Sequence, residues 1–317
     1  MSEEKPRVVV ADPIEPDALA ELSKYAEVFD ASREPGTLRP QLELAQGLLV
    51  RSRTRVDSRM LMEEAPRLRV IGRAGVGVDN IDVATATRRG IPVVNAPAAA
   101  TASVAELTMG LLVAVARDFG SQIPAVKAGE WKKAGNGMEL SGRTLGFVGY
   151  GRIAREVAVR AKAFGMKVQA HDPFLAETPD GTPLLPLDRL LATSDVVSLH
   201  ANLTPENRHL INATTLARMR KGAILLNVAR GALVDEEALL AALESGHLAG
   251  AGLDVFEDEP PRRAPLLSHP KVVPLPHIGA STREAQRRAG LVTVGEMAKV
   301  LQGRTPQFCV NPEVLRR

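Results

Sequence analysis

The chain has 317 residues, 45% of them hydrophobic and 24% charged, and its 40 basic and 37 acidic residues give a net charge of +3. This composition is typical of a globular protein with enough apolar residues for two medium-sized cores. The small excess of positive charge is spread along the chain, so we expect neither nucleic acid nor a membrane as a partner. The single cysteine, Cys309, excludes an intramolecular disulfide. Together with the polar N-terminus, it predicts a cytoplasmic protein.

Short apolar runs alternate with helical patterns in the first third of the chain. The predicted strands are Arg7–Ala11, Gly47–Arg51, Leu68–Gly72 and Pro92–Asn95, and a helix is predicted at Pro16–Tyr25. Such alternation indicates a parallel sheet with helices on its faces.

A second alternating series follows a long apolar helix predicted from Ser103 to Val126. Its predicted strands are Thr144–Val148, Lys167–His171, Asp195–His200, Ala223–Val228, Gly250–Asp254 and Lys271–Pro274, with helices at Asp235–Glu244 and Thr282–Gln302. We therefore predict an α/β protein of two Rossmann-like, doubly wound parallel-sheet domains with a cleft between them. Residues 99–282 would form a nucleotide-binding domain, and residues 1–98 with 283–317 a discontinuous substrate-binding domain.

The turn after the strand Thr144–Val148 has the spacing G-x-G-x-x-A, with Gly149, Gly151 and Ala154. A glycine at the first position permits a tight turn, one at the second lets the backbone approach a pyrophosphate, and a small third residue allows close helix–strand packing. The helix that opens at Arg152 and Ile153 would present unpaired N–H groups to the phosphates. The segment predicts a dinucleotide site.

Asp172 follows the next strand, about 20 residues after the turn, which is the distance expected of the acid that binds the adenosine ribose. A carboxylate there accepts hydrogen bonds from the ribose hydroxyls and repels a 2′-phosphate. Its neighbours His171, Pro173 and Phe174 include no Arg or Lys to neutralise that phosphate. The sequence thus favours NAD over NADP, although an ordinary acid in an Asp-Pro turn is the alternative.

Four polar residues follow later strands of the second series, where ligands of open α/β sheets bind. They are Arg230, Asp254, Glu259 and His277. A guanidinium can hold the carboxylate of a 2-oxo acid, and a histidine oriented by a carboxylate can exchange a proton with its carbonyl oxygen. Three of them have an ordinary alternative: Arg230 as a capping arginine, Glu259 as a solvated loop acid and His277 as a turn histidine.

At these residues the sequence resembles the D-isomer-specific 2-hydroxyacid dehydrogenase family over nearly its whole length. The segments that carry the resemblance are Val50–Thr54, Gly72–Asn80, Asn95–Pro97, Ser103–Leu107, the glycine turn, Asn227–Glu236, Ala251–Phe256, Asp258–Pro260 and Pro276–Thr282. Within the family, the pattern is most similar to that of the short-form 3-phosphoglycerate dehydrogenases.

The resemblance implies roles for individual residues. Arg230, Glu259 and His277 would be catalytic, with His277 as acid/base, Glu259 as its partner and Arg230 as anchor of the substrate carboxylate. Asp254 would orient the nicotinamide carboxamide. The implied cofactor-binding residues are Val76, Gly149, Gly151, Arg152, Ile153, Asp172, Ala201, Val228, Ala229, Arg230, Asp254, His277 and Gly279. The implied substrate-binding residues are Arg51, Ser52, Arg53, Val76, Gly77, Arg230 and His277. No metal is implied, and a homodimer is expected because relatives form a dimer arm from Ser103–Val126 and the region of Trp131.

Three departures from the family pattern bear on the substrate, on loop stiffness and on regulation, respectively. Ala98–Ala100 stands where relatives commonly have an asparagine, and Ala201-Asn202 follows His200 where many have proline. The chain stops at Arg317 without a C-terminal extension, so serine feedback is not expected.

The function expected from the resemblance is NAD-dependent oxidation of a D-2-hydroxy acid by hydride transfer, with 3-phosphoglycerate as substrate in serine biosynthesis. A glyoxylate or hydroxypyruvate reductase is the first alternative. An NAD-sensing corepressor-like binding protein is the second, because this fold does not by itself prove metabolism.

Overall fold

The computed structural model describes residues 5–131, 136–262 and 264–316. The chain divides into two compact units, Met1–Ala100 with Ala280–Arg317 and Thr101–Gly279. Each unit contains a parallel sheet, so the predicted fold class is confirmed. The polar N-terminal residues Met1–Glu4, which contributed to the expected localisation, lie outside the described residues.

The first unit contains a five-stranded sheet in the order β2-β1-β3-β4-β5, with all neighbouring strands parallel. Its strands are β1 (Arg7–Val10), β2 (Glu27–Asp30), β3 (Gly47–Val50), β4 (Val70–Arg73) and β5 (Val93–Asn95). Its helices are α1 (Pro16–Leu22), α2 (Leu38–Leu42), α3 (Val83–Arg88) and, from the end of the chain, α11 (Arg283–Leu301). Short helical turns occur at Pro35–Thr37, Met60–Glu64 and Pro312–Arg316.

The core of this unit lies on both faces of its sheet. Val294 and Met297 of α11 are fully buried against the strands, and α1 contributes Leu22 to the same cluster. Leu48 and Ile71 belong to the cluster on the other face. Burial on both faces explains why β3 and β4 read as continuous apolar runs in the sequence.

The second unit contains a six-stranded parallel sheet in the order β11-β10-β9-β8-β6-β7. Its strands are β6 (Thr144–Val148), β7 (Lys167–His171), β8 (Val196–Leu199), β9 (Ala223–Asn227), β10 (Leu248–Leu253) and β11 (Val272–Pro274). Its helices are α4 (Thr101–Ala116), α5 (Phe119–Lys127), α6 (Arg152–Ala163), α7 (Leu187–Thr193), α8 (Ala213–Arg218), α9 (Glu236–Glu244) and α10 (Ala264–Ser268). Short helical turns occur at Pro205–Asn207 and Gly231–Leu233.

The strand order of this unit indicates the edge of the sheet at which a ligand is expected to bind. The first strand of this unit along the chain, β6, lies between β7 and β8, so the direction in which strands are added reverses between β6 and β8. Open α/β sheets bind ligands at such a reversal, beyond the carboxyl ends of the strands. The glycine turn, which directly follows β6, therefore lies at the expected position.

The prediction of a single helix from Ser103 to Val126 is wrong. Two helices, α4 and α5, occupy this range, and Asp118 between them has a left-handed backbone with φ of 56°. A residue in that conformation cannot continue a right-handed helix. Apolar residues continue across the break, so their pattern does not reveal it. Across the described ranges, no helix combines the length and apolar character needed to cross a bilayer.

Candidate active site

The turn between β6 and α6 has an open backbone surface. Gly149 has φ of +85°, and a Cβ added there would lie 2.7 Å from the backbone N of Ala201. A Cβ at Gly151 would meet no protein atom within 4 Å. Gly151 is the N-cap of α6 and provides no side-chain cap to the first turn of that helix. These features fit a pyrophosphate held by backbone N–H groups, including those of Arg152 and Ile153.

Asp172 follows β7 and is tied to the glycine turn. Its Oδ2 accepts a hydrogen bond from the backbone N–H of Tyr150 at 2.9 Å, and its Oδ1 accepts one from the N–H of Phe174 at 3.0 Å. Because each carboxylate oxygen has two lone pairs, both oxygens can still accept ribose hydroxyls. The half-buried carboxylate is thus oriented by the same turn that would hold the pyrophosphate.

Sequence reasoning missed the contribution of Tyr150. Its phenol oxygen lies 3.0 Å from Oδ2 of Asp180 and 2.8 Å from Oγ1 of Thr182. Burial raises the pKa of Tyr150 to about 12, so the phenol stays neutral and can donate to Asp180. An aromatic residue between the two glycines was the available signal, but its partners about 30 positions away follow no local pattern.

The other predicted cofactor-binding residues of this unit lie beyond the ends of their strands. Ala201 follows β8, Val228 and Ala229 follow β9, and Gly279 lies in the turn after β11. Ala201 also touches Gly149 closely enough to exclude a side chain there. Next to it, burial lowers the pKa of His200 to about 3, so this histidine is neutral at ordinary pH.

The structure brings Glu259 and His277 into contact. They are 18 residues apart in sequence, but β10 and β11 are parallel neighbours whose register pairs Leu253 with Pro274. The Nδ1 of His277 lies 2.7 Å from Oε2 of Glu259. Glu259 Oε1 accepts a hydrogen bond of 3.3 Å from the backbone N–H of Phe256. The exposed fractions of the two side chains are 51% for His277 and 39% for Glu259, so the pair is accessible to a small molecule.

The electrostatics of this pair keep the imidazole protonated over a wider pH range than usual. The hydrogen bond to Glu259 raises the pKa of His277 above its ordinary value, against the opposing effects of burial and of Arg230. Burial acts to raise the pKa of Glu259, but the bond and charge of His277, the Phe256 amide and Arg230 together bring it below its ordinary value. His277 is therefore an imidazole with a negatively charged partner.

Asp254 holds the turn that carries His277. Only 1% of Asp254 is exposed, and its two oxygens accept the backbone N–H groups of Ile278 and Gly279, each at 2.8 Å. Burial raises the pKa of Asp254, although both amides and the charge of His277 act to lower it. Asp254 thus connects the carboxyl end of β10 with the turn after β11.

Arg230 lies at the end of β9 in a segment fixed by Asn227. The Asn227 amide donates to the carbonyl of Arg230 at 3.0 Å and accepts from the N–H of Ala229 at 3.1 Å. The Nη1 of Arg230 donates to the carbonyl of Ala229 at 2.7 Å. Its positive charge acts on both Glu259 and His277. The three predicted catalytic residues are therefore neighbours within one unit.

The predicted distal substrate residues Arg51, Ser52 and Arg53 follow β3 in the first unit. Their loop is fastened by Asp12, which sequence reasoning did not select. Only 2% of Asp12 is exposed, and its Oδ2 accepts the N–H of Arg51 at 2.6 Å. The side chains of Ser52 and Arg53 are exposed, whereas Arg51 is half-buried and its Nη1 donates to the carbonyl of Pro13 at 3.4 Å.

Val76 and Gly77 follow β4 in the same unit. The Asn95 side chain donates to the carbonyl of Val76 at 2.6 Å, and the N–H of Ala96 donates to the carbonyl of Gly75 at 2.9 Å. Val76 and Gly77 are themselves half-buried. Ala100, the last of the three alanines given above as a departure from the family pattern, is 4% exposed.

Comparison with known proteins supplies the family. The family model for the NAD binding domain of D-isomer specific 2-hydroxyacid dehydrogenases matches residues 109–279. A hydroxypyruvate reductase from Thermotoga maritima is 46% identical over 301 residues, which cover 93% of this chain and 98% of that protein. The chain belongs to the D-isomer specific 2-hydroxyacid dehydrogenases.

Two further relatives extend the comparison. A D-3-phosphoglycerate dehydrogenase from Methanocaldococcus jannaschii is 46% identical over 311 residues, covering 96% of this chain and 59% of that protein. The chain thus spans little more than half the length of this relative. A crystal structure of a protein from Thermus thermophilus has a TM-score of 0.87, 42% identity and coverage of 96% of this chain and 99% of that one. The resemblance read from the sequence is confirmed, as is an NAD-binding domain of the dehydrogenase class.

Proposed function

We propose that the protein oxidises 3-phosphoglycerate to 3-phosphohydroxypyruvate with NAD as oxidant, as a step in serine biosynthesis. The observation that carries the dehydrogenase chemistry is the 2.7 Å contact between His277 and Glu259, within reach of the charge of Arg230. This pair follows β10 and β11, at the same carboxyl edge of the parallel sheet as the glycine turn that follows β6. When bound, NAD supplies the acceptor for the hydride that leaves C2 of the substrate.

His277 performs the proton transfer of this reaction. The contact with Glu259 keeps a proton on Nδ1, so Nε2 is the atom that takes the proton from the C2 hydroxyl during oxidation and returns it during reduction. Glu259 stabilises the imidazolium that oxidation forms, because its negative charge favours the protonated ring.

Arg230 binds the substrate carboxylate and polarises the neighbouring carbonyl. A guanidinium offers parallel N–H donors that match a carboxylate, and its positive charge stabilises the negative charge that grows on the carbonyl oxygen during reduction.

The phosphorylated substrate is favoured by Arg53. Its side chain is exposed in a loop that the buried Asp12 carboxylate fastens, and a guanidinium is a strong phosphate ligand. The relative from M. jannaschii is named a D-3-phosphoglycerate dehydrogenase, which agrees with this choice.

A hydroxypyruvate reductase is the second candidate. It is favoured by Ala100 and by the T. maritima relative, which this chain matches over nearly that protein's whole length.

Comparing two 2-oxo acids tests the substrate. We expect NADH oxidation to show a kcat/KM at least about a hundredfold higher for 3-phosphohydroxypyruvate than for hydroxypyruvate, a difference of roughly 2.7 kcal/mol in transition-state stabilisation. The Arg53→Gln variant should lose most of this preference while its kcat/KM for hydroxypyruvate stays unchanged. An equal or reversed preference in the wild-type protein would instead favour hydroxypyruvate reduction, and no turnover of either acid would revive the corepressor-like alternative.

We further propose a homodimer, formed through the apolar face of α5. Phe119, Ile123 and Val126 are 43%, 50% and 49% exposed and lie on one face of this helix, and the nearby Trp131 is 90% exposed. Light scattering of wild-type protein should give twice the monomer mass, and Ile123→Arg should give the monomer mass. Val159→Arg, on the exposed surface of α6, is the matched control and should remain dimeric. A monomeric wild-type protein would refute the proposal.

The single cysteine fits the reducing cytoplasm, which we propose as the site of the reaction.

A further inference from the structure

The segment Val255–Glu259 presents the proposed partner of His277 on a surface loop. Its first residues are buried, and exposure begins towards Glu259. Glu259 uses both carboxylate oxygens, since Oε1 accepts the N–H of Phe256 while Oε2 contacts His277. A displacement of the backbone at Phe256 would therefore turn the carboxylate away from the imidazole.

This backbone packs directly against the end of the Arg230 segment. A Cβ added to Gly231 would lie 1.9 Å from the carbonyl carbon of Phe256 and 2.4 Å from the N of Glu257. Since real Cβ atoms essentially never approach that closely, the absence of a side chain at residue 231 is required for the two segments to touch. This contact supports one side of the loop by packing alone. The position of the loop also depends on a hydrogen bond, which is directional.

That hydrogen bond is accepted by Glu236 at the start of α9. This residue is 6% exposed, and its Oε1 accepts the backbone N–H of Glu257 at 2.7 Å. Asp235 caps the helix by accepting the N–H groups of Glu237 and Ala238, so the first turn of α9 is well defined. A carboxylate at a helix N-terminus is also favoured by the helix dipole. Glu236 is thus a fixed anchor for the loop.

The side chain of Glu257 has partners of its own in another part of the unit. Its Oε1 lies 2.7 Å from Nε2 of His209 and also pairs with the guanidinium of Arg208. The backbone and side chain of Glu257 are therefore bound by two separate parts of the unit. Of these contacts, the one from Glu236 acts on the backbone that leads directly to Phe256 and Glu259.

We propose that Glu236 is a positioning residue for catalysis. By accepting the N–H of Glu257, it fixes the backbone whose neighbouring amide, that of Phe256, orients the Glu259 carboxylate towards His277. The role rests on the proposed function of the His277–Glu259 pair. A residue with only a general stabilising role would leave the pKa of His277 unchanged. Loss of Glu236 should instead change this pKa by displacing Glu259, which acts on it together with Asp254 and Arg230.

The test compares Glu236→Ala with Glu236→Gln, whose amide oxygen can still accept the Glu257 N–H. We expect Glu236→Ala to lower kcat by about tenfold to a hundredfold, because a displacement of about 1 Å at a reacting group can cost about a hundredfold. The KM for the 2-oxo acid and the NADH affinity should stay within about twofold of wild type. The pH at which reduction declines should fall, because a displaced Glu259 no longer supports the charge of His277. Glu236→Gln should recover most of the rate.

Two controls complete the experiment. Glu244→Ala removes an exposed acid from the last turn of the same helix and should behave as wild type. A wild-type kcat and pH profile in Glu236→Ala, or equal losses in the alanine and glutamine variants, would overturn the role of Glu236. Glu259→Gln separates this failure from that of the proposed function. If Glu259→Gln loses activity while Glu236→Ala does not, only the inference about Glu236 fails. A fully active Glu259→Gln would contradict both.

Discussion

Replacing His277 with alanine is expected to lower kcat by about a thousandfold while NADH affinity stays within a few fold of wild type. General acid–base catalysis contributes about 10²–10⁴ to a rate, and the imidazole is the proposed proton carrier. The cofactor would still have the glycine turn and Asp172. Steady-state assays of 2-oxo acid reduction and a fluorescence titration with NADH measure the two quantities separately.

A histidine at the other end of β11 provides the matched control. His269 precedes the strand and accepts a hydrogen bond from the N–H of Lys271 at 3.2 Å. His269→Ala should therefore leave both kcat and NADH affinity unchanged. If His277→Ala lost NADH binding together with activity, the residue would be structural and the proposed acid/base role would be wrong.

The pH dependence follows from the direction of the pKa shift. The hydrogen bond to Glu259 raises the folded-state pKa of His277 above 6.5, its ordinary value. Reduction needs the protonated imidazole, so its rate should decline as pH rises through this raised pKa. Oxidation needs the neutral imidazole and should accelerate over the same range. In Glu259→Gln the main cause of the raised pKa is gone, so both transitions should move to lower pH.

Strands with a uniform apolar pattern could be predicted from sequence. The predicted ends of β6 are the observed ends, because Arg143 and Gly149 bound its apolar run. The predicted ends of β7 are also the observed ends, although its sequence contains polar residues, and Asp172 follows it. The edge strand β2 was missed. Its sequence, Glu27-Val-Phe-Asp30, includes two acids because it has one neighbouring strand and is incompletely buried. The break at Asp118 was also missed, since a left-handed residue inside an apolar stretch leaves the pattern unchanged.

The contact between Glu259 and His277 could be anticipated, because parallel neighbouring strands end at the same edge of a sheet. The residues that hold this edge in place could not. The Glu236 carboxylate meets an amide 21 positions away, and Asp12 meets one 39 positions away. Such pairs depend on how the chain folds back, and an acid that accepts a distant amide looks the same in sequence as a solvated one.

Alanine substitutions at the two glycines of the glycine turn should separate effects on folding from effects on NADH binding. Gly149→Ala forces a side chain onto a backbone with φ of +85° and within 2.7 Å of the N of Ala201. We expect it to lower the free energy of unfolding by roughly 1–3 kcal/mol and to abolish measurable NADH binding. Gly151 has φ of −79°, which any residue adopts, and its Cβ would enter open space. Gly151→Ala should therefore change the free energy of unfolding by less than about 0.5 kcal/mol.

NADH affinity gives the second half of the comparison. A methyl group at residue 151 would occupy the space through which the pyrophosphate approaches the N-terminus of α6. We expect Gly151→Ala to weaken NADH binding by about tenfold to a hundredfold, since hydrogen bonds to charged groups contribute about 1.5–3 kcal/mol. Urea unfolding and NADH titration of the same two variants measure both effects. If Gly151→Ala bound NADH as tightly as wild type, the pyrophosphate could not lie against this turn, because the added methyl group would stand directly in its place.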